Sequence, residues 1–88
     1  MVDITPSPKA IKDVKYYGWA VYEDVELDEA DDVILGEFLS TVNLNQVFIV
    51  KNSDGSEVTA SILLNVATIT TVGLSNAECT VFAYGRRV

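Results

Sequence analysis

The apolar residues of this chain recur with a period of two, in short runs broken by turn signals. That spacing puts alternate side chains on opposite faces of a strand and cannot hold an apolar stripe along a helix. Residues 19–27 set Trp19, Val21, Val25 and Leu27 on one face and Tyr22, Asp24 and Glu26 on the other, with Glu23 the one break. Residues 33–39 form a second strand, where Gly36 marks a bulge or close contact. Residues 47–50 are apolar on both faces, as in a central strand. Asn52, Ser53, Asp54 and Gly55 then supply the chemistry of a tight turn. The return strand, 57–64, points Val58, Ala60, Ile62 and Leu64 one way and Thr59 and Ser61 the other. Residues 66–72 are rich in β-branched side chains, 73–77 turn, and 78–84 make a last strand stopped at Gly85. At least five short strands predict an all-β domain: a small antiparallel β-sandwich or barrel.

The front of the chain differs. Pro6 and Pro8 push their predecessors toward extended geometry, which predicts an extended arm over 1–15 ahead of a single β-domain, 16–88. The alternative is one helical turn from Ser7 and Pro8 to Val14, since Pro is preorganised for the first helical position. A chain of 88 residues buries only about 60–65% of its unfolded surface, so its core is thin. The expected core is Trp19, Val21, Val25, Leu27, Val47, Ile49, Val58, Ile62, Leu64, Ile69, Val81 and Phe82.

Charge narrows the function. Thirteen acidic and six basic residues give a net charge of −7. Residues 1–15 sum to +1, residues 16–50 to −8 with no basic residue at all, and residues 51–88 to zero. Nucleic-acid affinity comes mainly from Lys and Arg, so neither nucleic acid nor an anionic membrane is an expected partner. No signal peptide is recognisable, and no apolar run approaches the ~20 residues of a membrane-spanning helix. With no His and one Cys, neither a disulfide framework nor a His- or Cys-based metal site can be built.

The remaining candidate sites favour binding over chemistry. Asp24, Glu26 and Asp28 alternate as Ca²⁺ ligands would, but no Gly follows to form the loop, so a solvated strand edge is expected. Cys79 has no His to activate it and reads as a small buried hydrophobe. No catalytic residue, metal or cofactor is expected. Tyr16, Tyr17, Trp19 and Tyr22 cluster within seven residues, either as core and edge or as an interface, with Tyr16, Tyr17 and Tyr22 the candidate interface rings. Arg86 and Arg87 make a short basic end, either a contact or a solvated terminus.

The layout of arm and small β-domain, and residues 66–85 with their Gly73-Leu74-Ser75-Asn76 turn and aromatic-Gly ending, resemble small phage virion proteins that decorate or cement capsids. The resemblance implies a non-enzymatic virion structural protein, made in the host cytoplasm, that binds the major capsid protein on the outer shell. It implies a homo-oligomer, with a trimer favoured. The arm would then lie along the shell, with Ile4, Pro6, Pro8, Lys9, Lys12 and Lys15 as candidate partner-binding residues, though the resemblance transfers no residue individually. Arg86 and Arg87 join them on charge, as basic ends that complement a neighbour's acidic strand. Two other readings stay open: a carbohydrate- or peptide-binding module using the aromatic residues, and an acidic nucleic-acid mimic using the −8 block.

Overall fold

Alternation becomes strand over most of the chain. The computed structural model describes residues 2–14, 16–36 and 38–88, with the side chains of residues 10, 12–14 and 43–45 outside the description. Among the described residues there are strands and no helix. They are β1 (Asp3–Ile4), β2 (Ala10–Val14), β3 (Tyr17–Leu27), β4 (Asp32–Ile34), β5 (Leu39–Lys51), β6 (Glu57–Val58), β7 (Ala60–Leu63), β8 (Val66–Ile69) and β9 (Ala77–Arg87). A five-stranded sheet in the order β2-β3-β9-β5-β6 packs on a four-stranded sheet in the order β1-β4-β8-β7. All neighbours are antiparallel except β1 and β4. The architecture is the small, mainly antiparallel β-sandwich that the periodicity predicts.

The N-terminal segment is extended, as its prolines require, and it is paired rather than free. β1 runs beside β4 and β2 lines the edge of β3, so the segment crosses from one sheet to the other. Residues 10–14 are strand, not a helical turn.

One bulge decides which residues enter the core. In β3 the register on β9 jumps from Tyr22 opposite Val81 to Val25 opposite Cys79, leaving Glu23 and Asp24 together across from Thr80. Asp24 takes φ of 56°, a left-handed conformation that Asp tolerates better than most residues. The extra residue shifts the alternation. Ala20, Tyr22, Val25 and Leu27 point inward, and Trp19 and Val21 point outward, contrary to the uninterrupted reading. Phe82, opposite Val21, also faces out, while Cys79, Val81 and Ala83 fill the interior.

Three strand limits also depart from expectation. Residues 33–39 are not one strand: β4 stops at Ile34, and the Leu39 N–H donates to the Leu35 carbonyl at 3.0 Å across a turn. The hairpin of β5 and β6 forms, with Gly55 at φ 73°, but the return strand leaves the five-stranded sheet after Val58 and continues in the other as β7. Leu64, expected in the core, sits at the β7–β8 turn with φ 54° and is 63% exposed. Gly85 does not stop β9. A Cβ there would overlap the Thr41 carbonyl oxygen and lie 2.8 Å from the Val42 Cα, so glycine lets β5 come close.

The core lies between the sheets. Ala20, Tyr22, Val25, Leu27, Ile49, Val58, Val81 and Ala83 meet Val33, Ala67 and Ile69, with Leu35, Leu39, Val42 and Leu74 closing its margins.

Candidate functional site

Because the bulge turns Trp19 and Val21 outward, the outer face of the five-stranded sheet becomes aromatic. Register sets its rows. Tyr17, Arg86 and Thr41 form one, Trp19 and Tyr84 the next, and Val21, Phe82 and Phe48 the third. Tyr17 and Tyr84 stack with centroids 6.0 Å apart and planes 14° apart, and Trp19 tilts against Tyr84 at 4.9 Å and 47°. Such ring pairs contribute about 0.5–1.5 kcal/mol beyond the area they bury. Even so, Tyr17 stays 48% exposed and Phe48 51%. Among the described residues no element of the chain lies over this face, because the four-stranded sheet covers the opposite one. Exposed aromatic rings grouped on one uncovered face are the kind of surface at which proteins meet.

The two ends of the face are charged. At one, a hollow of about 300 Å³ is lined by Tyr17, Thr41, Gly85 and the exposed Arg86. At the other, Glu26 and Glu78 stand directly opposite each other on β3 and β9, an unfavourable like-charge pair.

Three carboxylates of the acidic block do structural work near that second end. Buried Asp31 accepts the Val2 N–H at 3.1 Å and the Asp28 N–H at 2.8 Å, tying the N-terminal segment to the β3–β4 loop. Asp28 accepts the Asn76 N–H at 2.6 Å, and Glu29 accepts the Gly73 N–H at 2.9 Å. These carboxylates cap loop amides. Among the described residues no group of three or more His, Cys, Asp or Glu is gathered as a metal site would need. Cys79 is buried, and burial pushes its thiol pKa up, with Lys51 opposing in part. A protonated, enclosed thiol is a poor nucleophile.

The residues expected to bind a partner are dispersed. Ile4 packs at the core margin, Pro6 and Pro8 are half-buried, and the N–H of exposed Lys9 donates to the Val21 carbonyl at 2.7 Å. Lys12 lies opposite Trp19 in the β2–β3 register, and Lys15 lies outside the described residues. Arg87 stands 5.7 Å over the Phe38 ring, and its N–H donates to the Tyr16 carbonyl at 3.0 Å. Of the candidate interface rings, Tyr16 and Tyr17 are exposed, whereas Tyr22 is wholly buried and belongs to the core. The structure brings Tyr17 and Arg86 together and adds Trp19, Phe48, Phe82 and Tyr84. The added rings are foreshadowed in β9, where Cys79, Val81, Ala83 and Gly85 on one face are small and Phe82, Tyr84 and Arg86 on the other are large.

No family model matches the chain, and comparison with curated proteins and with solved structures returns no match.

Proposed function

We propose that this chain is a non-enzymatic structural protein of a phage virion, which adds contact area on the outer capsid surface and so stabilises the shell. The observation that carries the reading is the outward aromatic face, on a sandwich in which Asp28, Glu29 and Asp31 cap loop amides and the one thiol is enclosed. Aromatic and Arg side chains are enriched where protein surfaces meet. The rings spend their faces on one another, at 14° and 47°, rather than lying coplanar as a platform for sugar rings. That geometry favours protein contact over the carbohydrate-binding reading. A decorating protein needs no chemistry: packaged nucleic acid pushes outward, and every boundary between shell subunits bridged by extra contact costs more to open.

The test is incorporation. A tagged chain expressed during infection by the phage that encodes it should co-purify with gradient-isolated particles. Phe48→Ser combined with Tyr84→Ser, both on the outer face, should leave it folded but deplete it from particles. Absence of the unaltered chain from particles would overturn the reading.

A further inference from the structure

We propose that the aromatic face is occupied by a second copy of this chain, packed face to face about a two-fold axis that crosses the strands along the Val21, Phe82 and Phe48 row. The inference rests on the reading above only in treating this face as a protein contact. With the face closed between copies, the pair meets the shell through its remaining surface, and loss of the Phe48→Ser, Tyr84→Ser variant from particles is loss of the pair.

The outward side chains of β9 run Glu78, Thr80, Phe82, Tyr84, Arg86. Phe82 is the midpoint, with the carboxylate and the guanidinium each four residues away, about 13 Å in either direction at the rise of a strand. β9 is also the middle strand of its sheet. A two-fold axis lying across the strands reverses the strand direction while keeping β9 over β9. Phe82 then meets Phe82, and Arg86 of each copy meets Glu78 of the other, with Glu26 beside it. Both charged contacts form at once, as an isologous interface demands. The second copy's guanidinium also relieves the repulsion between Glu26 and Glu78, adding to the charge of Lys51, which lines the same hollow as Glu78. Turning the copies about an axis along the strands would instead oppose Arg86 to Arg86 and carboxylate to carboxylate.

The three central strands over this length cover about 400–500 Å² per copy, from strand spacing and rise. That is below the ~800 Å² per partner of a standard interface, so the dimer is reversible and depends on concentration.

Sedimentation equilibrium from about 10 µM to about 1 mM tests for the weak, reversible association of an interface below the standard size. The unaltered chain should pass from one to two chain masses over this range. Arg86→Glu alone and Glu78→Arg alone should each weaken dimerisation by about tenfold or more. Mixing the two variants, or placing both changes in one chain, should restore it, because the charges are again complementary. Monomer throughout, or a dimer indifferent to both reversals, or a mixture that does not recover, would overturn the proposal. A monomeric chain whose Phe48→Ser, Tyr84→Ser variant is still lost from particles would mean that the shell itself covers the face. A dimer absent from particles would leave this inference standing and remove the virion function.

Discussion

Asp54 accepts both the backbone N–H and the hydroxyl of Ser56, at 2.9 and 2.8 Å, and these two bonds hold its carboxyl below the usual carboxylate pKa. A depressed folded-state pKa means that the bonds favour the fold above the unfolded pKa and are lost as pH falls through the folded one. The group is fully exposed, so the effect is local to the turn. Carboxyl NMR shifts followed down in pH should show Asp54 titrating below an ordinary aspartate, and Ser56→Ala should move its midpoint up. Equal midpoints in the two proteins would count against the turn geometry. This turn is legible in the sequence because Asp54 and Gly55 act locally: one caps the amide two residues on, and the other supplies φ of 73°. Leu64 was not legible. Its φ of 54° is rare for a leucine, and no local chemistry announces it.

At the scale of the element, the bulge at Glu23 and Asp24 separates what could be read from what could not. Strand existence follows from β-branched and aromatic alternation, which is a local property. Facing does not, because one inserted residue exchanges the two faces of everything before it. So Val25 and Leu27, after the bulge, sit where the alternation puts them, while Trp19 and Val21, before it, do not. Val81 and Phe82, adjacent on one strand, cannot both face the core as expected: the interior takes Val81, with Ala83, and the ring of Phe82 goes out. Leu27→Ala should therefore cost about 2–5 kcal/mol in urea unfolding. Phe82→Thr, which keeps strand propensity on the outer face, should cost less than about 1 kcal/mol. Equal costs would show that the facing of β9 is wrong.

Over the whole molecule, which measures 38 × 22 × 20 Å, strand direction converts the order of charge along the chain into polarity in space. β3 and β9 run antiparallel, so Glu26, Asp28 and Glu78 gather at one end while Arg86 and Arg87 lie at the other. The uneven charge was visible as the −8 block, but its alignment with an aromatic face between the ends was not, since that needs the pairing of β3, β9 and β5. The central claim is that this face is the surface through which the protein works. Trp19 is the one tryptophan and lies within the face, against Tyr84, so it reports on that surface alone. Acrylamide quenching of its fluorescence is the most direct measurement. Quenching should be ready in dilute protein, and it should fall, with a blue shift of emission, once the protein is assembled. Quenching and emission that stay the same between the dilute and assembled states would contradict the claim.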